Sequence, residues 1–196
     1  MIDEKEFLKL KSDFDRFEEQ REELIKKSRD ILRFSKHAIF SVHNNELENA
    51  REKLVEAEKL IKETCKVKCS TKLDSIGALS SAMQEYVEAK CYLSYMEKKK
   101  LPTQKALKVE VDDYLLGLCD LTGELARRAV VTVTNNNTKE VYVIRGLVEK
   151  IFELMLQLNL RNGELRKKSD AIKWNLKKIE GIIYDLKIKG IENSKD

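Results

Sequence analysis

The sequence predicts an all-α fold, a bundle of about seven long amphipathic helices in a single domain over residues 1–196. Breakers are few, with 1 Pro and 7 Gly in 196 residues, whereas turn-dense β folds need both at their corners. Apolar residues also recur at spacings of three and four over long stretches, which is the helical period. A chain of this length can bury a sizeable core without disulfides or metals.

Turn and capping residues separate the predicted helices. The Asn-Asn pair at 44–45 predicts a break, with Asn45 as the N-cap of the second helix. Pro102 enforces a loop, and Thr103 is expected to cap one short turn. The longer helices are predicted at residues 3–43, 46–63, 74–98, 111–131, 138–159 and 164–189, with Gly190 as the final C′ residue.

Two stretches within these helices carry mixed signals. The apolar stripe of the first helix keeps its period only if Arg21, Ser28 and Ser35 belong to it, and buried polar residues need partners. The run Ala129–Thr134 has strand propensity because it is rich in β-branched residues. The helical period upstream carries into its first half, so we assign helix as far as residue 131.

Charge and composition exclude several classes of protein. The chain has 38 basic and 34 acidic residues, a net charge of +4 that does not by itself indicate a nucleic-acid partner. We expect a cytoplasmic protein without a membrane partner, since no secretory signal and no apolar run long enough to span a bilayer is found. Cys65 and Cys69 form a C-x3-C pair with no second pair or nearby His, which favours reduced thiols over zinc.

Four carboxylates form the most informative pattern. Glu85 and Glu88 are spaced i, i+3, and Asp120 and Glu124 are spaced i, i+4, so each pair occupies one helix face among apolar neighbours. Two such helices facing each other would present four acidic groups to a hard cation such as Mg²⁺ or Mn²⁺. Spacing alone favours a solvated face, because acid pairs are common in so charged a chain. Gly123, inside a helix, tilts the second pair towards a site of close approach.

Basic residues predict where a nucleic acid would lie. Arg29, Arg33 and Lys36 form a ridge beside the stripe of the first helix that is suited to a phosphate backbone, although a solvated face is the commoner reading. Arg127 and Arg128 follow Glu124 by about one helical turn, so one of them is expected to pair with a carboxylate or steady a phosphate.

Histidine chemistry has little support in the sequence. His37 and His43 lie six residues apart on one helix and do not share a face. A ribonuclease mechanism that uses two histidines is therefore not predicted.

The acidic segments resemble the translin superfamily, in particular its TRAX branch (translin-associated factor X). Residues 113–125 read like the TRAX signature DYLLG-x-x-DLTGEL, and residues 84–89 read like its QEYVEA segment. Residues 28–40 look like the N-terminal helix of the family, whereas residues 165–186 look more like translin itself. The resemblance covers nearly the whole chain and is most specific in the middle third.

This resemblance implies a fold of about seven helices and assembly into a hollow, octamer-like homo-oligomeric shell that binds single-stranded RNA and DNA. It also implies a Mg²⁺-dependent endoribonuclease site on four acidic residues, which match Glu85, Glu88, Asp120 and Glu124 here. Two alternatives stay open at this point. One is a shell that binds single-stranded nucleic acid without cutting it, and the other is a coiled-coil-like adaptor that binds protein.

Overall fold

The computed structural model describes residues 3–67, 77–135 and 137–189, and over these ranges it contains seven α-helices and no strand. The all-α prediction is confirmed. Asp74, Cys69 and Gly190, to which the sequence analysis gave roles, lie outside the described residues. The helices are α1 (Glu4–His43), α2 (Leu47–Val67), α3 (Gly77–Lys98), α4 (Gln104–Leu107), α5 (Val111–Thr134), α6 (Thr138–Leu156) and α7 (Glu164–Ile188).

The core lies where the helices pack side by side in two linked groups. Helix α1 packs on α2 and α3, and α5 packs on α6 and α7, while the contact between α3 and α5 joins the groups. Side chains with no exposed surface occupy the centre of these contacts, among them Ile31, Tyr92, Leu121, Ile144 and Ile172. Helices α3 and α5 are therefore the middle of the bundle, and they carry the four acidic residues.

Helix α1 is only half covered by the rest of the chain. Its buried residues begin at Leu24, and the turns before it hold exposed Phe7, Leu10 and Phe14, which are 58%, 60% and 61% exposed. At 1.5 Å per residue this 40-residue helix is about 60 Å long, whereas the next longest described helix, α7, has 25 residues. The amphipathic stripe predicted for this helix is real, but its N-terminal part has no partner within the described chain.

Two residues are predicted to be N-caps, and the structure confirms one of them. Thr103 caps α4 as predicted, since its hydroxyl accepts a hydrogen bond from the Ala106 N–H at 3.2 Å. The prediction that Asn45 caps α2 is wrong. Asn45 takes a left-handed backbone with φ of 63°, whereas an N-cap is extended, and the Glu46 carbonyl accepts the first bond of the helix, from the Ala50 N–H. Asparagine tolerates that left-handed position better than most residues.

Three helix ends differ from the prediction. Helix α2 continues to Val67, four residues past its predicted end. Helix α5 continues to Thr134 through the run with strand propensity, and in this run the hydroxyls of Thr132 and Thr134 donate to carbonyls one turn earlier. Helix α6 ends at Leu156, three residues early. Its last turn is tightened by bonds from Gln157 N–H to the Leu154 carbonyl and from Leu158 N–H to the Met155 carbonyl.

Two further features of the described helices are their apolar character and their buried cysteines. Among the described residues, no helix combines the length and the apolar character needed to cross a bilayer. Cys91 and Cys119 are free and buried, and burial raises the pKa of each thiol to about 12. Both side chains therefore act as small apolar groups of the core.

Candidate functional site

Helices α3 and α5 cross at a glycine, which brings their acidic faces together. A Cβ atom added at Gly117 would lie 2.7 Å from the Gln84 carbonyl oxygen and 2.7 Å from the Val87 Cβ, closer than any side chain permits. The Gly123 position has only Asn175 Nδ2, at 3.9 Å, which is ordinary contact. The expectation that Gly123 marks the close approach is therefore wrong, and Gly117 has that role.

The α3 carboxylates have no ion-pair partner within the described residues, and one of them is buried. Glu88 is 7% exposed, and Glu85 is partly buried. Burial is the first cause that raises the pKa of both groups, and the repulsion of neighbouring carboxylates adds to it, so that the pKa of Glu88 reaches about 9. Within the described chain neither forms an ion pair at 4 Å or less. Glu88 is therefore protonated at neutral pH.

Asp120, in contrast, has a cationic partner from α7. The Lys168 ammonium donates to Asp120 Oδ2 at 2.6 Å and to Gln84 Oε1 at 3.2 Å. The Gln84 amide in turn donates to Ser80 Oγ at 3.0 Å, and Ser80 donates to the buried Asp113. This chain of hydrogen bonds fixes the orientation of Gln84 and hence the place of Lys168.

Glu124 has a different partner, from the end of α1. Its Oε2 atom forms a very short contact with His43 Nε2, and the opposite ring nitrogen of His43 lies 3.2 Å from the Tyr92 hydroxyl. The hydrogen bond from His43 is the largest cause that lowers the pKa of Glu124, and Arg127, 3.9 Å away, contributes as well. The α5 carboxylates are thus paired, while the α3 carboxylates are not.

The other predicted basic residues lie at different distances from this cluster. Arg29, Arg33 and Lys36 are exposed on α1, and Lys36 is near enough to Glu85 to lower its pKa. Arg33 also pairs with Asp30 at 2.8 Å. Arg128 points away from the cluster, and its mostly buried guanidinium lies 3.7 Å from Glu140.

Sequence reasoning missed two residues at the centre of the site. His43 had an available signal, because it follows Arg29 and Lys36 at spacings of fourteen and seven and so shares their stripe. Lys168 had no such signal. It stands in a basic run of α7, and only the packing of α5 on α7 brings it to Asp120.

The donor set suits a hard divalent cation. It offers carboxylate oxygens alone. Glu88 is buried and Glu85 partly buried, neither with an ion pair in the described ranges, which is costly unless a cation or a proton compensates them. As the side chains stand, no three His, Cys, Asp or Glu residues in these ranges form a group that could hold a metal ion.

Comparisons with known proteins agree with this fold. The sequence model of the Translin family matches residues 19–190. Translin of Gallus gallus is 32% identical over 123 residues, which are 56% of this chain but only 54% of that protein. The translin-associated protein X homolog of Schizosaccharomyces pombe is 29% identical over 204 residues, covering 92% of this chain and 87% of that protein.

Solved structures share the fold at greater sequence distance. The structure of AfC3PO in complex with duplex RNA superposes with a TM-score of 0.84 at 24% identity, covering 94% of this chain and 97% of that one. The crystal structure of AfC3PO alone gives a TM-score of 0.85. With a family match that spans most of its length, the chain belongs to the Translin family.

Proposed function

We propose that this chain binds single-stranded RNA and cleaves it endonucleolytically, with Mg²⁺ or Mn²⁺ held by Glu85, Glu88, Asp120 and Glu124. The observation that carries the proposal is the contact of α3 and α5 at Gly117, which sets four carboxylates within reach of one another's charge. A surface of solvated acid pairs would not place Glu88 in a buried, uncompensated position.

The residues around the cluster have separable roles in this proposal. A divalent cation at such a site supplies charge stabilisation for a reacting phosphate and activation of water. The exposed cations Lys36 and Arg127 flank the carboxylates and orient the strand through its phosphates. Arg29 and Arg33 extend the same basic surface along α1. Arg128, bound to Glu140, contributes to the fold beside the site.

The comparisons support RNA as the class of ligand. The chain belongs to the Translin family, and a neighbour of the same fold has been solved with duplex RNA. We propose a single strand as the substrate, because its backbone is free to bend towards carboxylates that lie between two helices. Single-stranded DNA presents the same phosphates and is expected to bind as well.

Exposed apolar side chains support a homo-oligomer, in the form of an octamer-like shell. Phe7, Leu10 and Phe14 line the uncovered half of α1, and Trp174 and Tyr184 are 62% and 64% exposed on α7. Apolar surface of this extent is normally covered, and closed symmetric assembly is the usual solution.

A labelled single-stranded RNA tests the activity. Wild type is expected to cut it with Mg²⁺ and not with EDTA, and Glu85→Gln combined with Glu124→Gln is expected to abolish cutting while binding is retained. Glu52→Gln, an exposed residue of α2, is the matched control and should cut normally. Metal-assisted hydrolysis predicts products with 5′-phosphates, and cyclic phosphates would show attack by the 2′-hydroxyl instead.

A second candidate is a shell that binds RNA without turnover. It is favoured by one observation, namely that Asp120 already forms an ion pair with Lys168 and Glu124 already contacts His43. Retained binding with no cutting at any Mg²⁺ or Mn²⁺ concentration would support this candidate, and would leave the acidic cluster as part of the fold.

A further inference from the structure

We propose that Lys168 is an exchangeable counter-ion of the site: it holds Asp120 in the metal-free protein and binds the RNA phosphate once a divalent cation replaces it there. This inference rests on the proposed function, because it requires both a metal and an RNA strand at the cluster. It adds a residue that neither the acidic motif nor the basic ridge of α1 includes.

The position of Lys168 shows why it competes with a metal. Its ammonium group lies 2.6 Å from Asp120 Oδ2, so it occupies the space that a divalent cation on that oxygen would need. Its charge also lowers the pKa of Glu85 and Glu88. The charge of Lys168 thus affects three of the four carboxylates. Because an ammonium group has no lone pair, Lys168 cannot itself become a ligand of the metal.

The structure also shows how Lys168 is free to exchange partners. Its side chain is 28% exposed, and it reaches the cluster from the second turn of α7, where Glu164 lies 3.8 Å away. Its remaining contact in the cluster is the uncharged Gln84 oxygen at 3.2 Å. A flexible four-carbon stem allows the ammonium to swing from Asp120 to an incoming phosphate while this amide contact guides it.

With a divalent cation on Asp120, the Lys168 ammonium would lose its carboxylate partner through charge repulsion. It would then be free to pair with a phosphate of the RNA strand. The predicted signature is a contribution of Lys168 to RNA affinity that exists only when metal is bound, since without metal the ammonium is engaged by Asp120. A purely structural role would affect RNA affinity equally in both conditions.

The test compares Lys168→Met with wild type, with Lys167→Met as the matched control, because Lys167 is its exposed neighbour on α7. Mn²⁺ binding, followed by the electron paramagnetic resonance signal of free Mn²⁺, is expected to be about tenfold tighter in Lys168→Met and unchanged in Lys167→Met. Lys168→Arg, which keeps the charge, is expected to bind Mn²⁺ as wild type does, and it provides a folded variant if Lys168→Met is unstable.

RNA affinity is the second readout, measured with EDTA and with Ca²⁺ in place of Mg²⁺. Wild type and Lys168→Met are expected to bind RNA equally in EDTA, whereas with Ca²⁺ wild type binds about threefold or more tightly than the variant. Equal Mn²⁺ affinity of wild type and Lys168→Met, or equal loss of RNA affinity in both conditions, would overturn the exchange. Wild type that takes up no Mn²⁺ would instead overturn the metal site of the proposed function.

Discussion

Replacement of Glu88 gives the most direct test of the carboxyl group that is buried between α3 and α5. The side chain is 7% exposed, and burial, followed by repulsion from the three other carboxylates, raises its pKa from 4.5 to about 9. It is ionised in the unfolded chain above pH 4.5 but keeps its proton in the folded protein up to about pH 9. Folding therefore takes up a proton, and the folded state loses stability as the pH rises through this window.

The size of the effect follows from the two pKa values. Each pH unit between them costs about 1.4 kcal/mol, so the cost that accumulates from pH 4.5 to pH 7 is about 3 kcal/mol. Glu88→Gln keeps the shape of the protonated acid and has no proton to lose. The variant is expected to equal wild type in free energy of unfolding near pH 4.5 and to exceed it by about 3 kcal/mol at pH 7.

Urea unfolding in EDTA at pH 5.5, 7 and 8.5, at one protein concentration, measures this difference. Wild type should lose stability with rising pH, and Glu88→Gln should show a flatter profile. Glu52→Gln, whose side chain is exposed, controls for the loss of a glutamate and should parallel wild type. Parallel profiles for wild type and Glu88→Gln would refute the reasoning, because Glu88 would then ionise as freely in the folded protein as in the unfolded chain.

Two further predictions concern packing. Gly117→Ala places a methyl group 2.7 Å from the Gln84 carbonyl oxygen. It should therefore lower the free energy of unfolding by about 1–3 kcal/mol or more and abolish metal binding. The control Gly146→Ala has nothing within 4 Å of the added carbon and should stabilise α6 by about 0.5–1 kcal/mol. Both are measured by thermal and urea unfolding, and equal stability of the two variants would contradict the crossing. Phe7→Glu with Phe14→Glu should reduce the assembly size by light scattering without loss of helicity by circular dichroism, and an unchanged assembly would exclude this part of α1 from the interface.

Much of the fold could be predicted from the sequence because helical periodicity is a local property. The start of α5 at Val111 and of α6 at Thr138 agrees with the prediction, and so does the Thr103 cap. The errors fall where a local signal has two readings. Asn45 serves a left-handed turn as readily as an N-cap, and the β-branched run that ends α5 stays helical while it buries Ala129 and Thr132 against the bundle.

The candidate site could be predicted only in its acidic half. Spacing places Glu85 with Glu88 and Asp120 with Glu124, since each pair shares one helix face. Which glycine permits the crossing depends on the register between α3 and α5, which no local pattern contains, so Gly117 was missed in favour of Gly123. The partners Lys168 and His43 come from helices 48 and 81 residues away in sequence from the carboxylates that they bind.

What separates a functional acid cluster from a solvated one is the placement of counter-charge. On α5, Asp120 forms an ion pair with Lys168 and Glu124 contacts His43, so each carboxylate has a partner without a ligand. The pair on α3 has no such partner in the described chain, and it retains a proton at neutral pH instead. A divalent cation would replace that proton on α3 and the Lys168 ammonium at Asp120 on α5. Metal affinity should therefore rise with pH, and the two carboxylate pairs should contribute to it unequally.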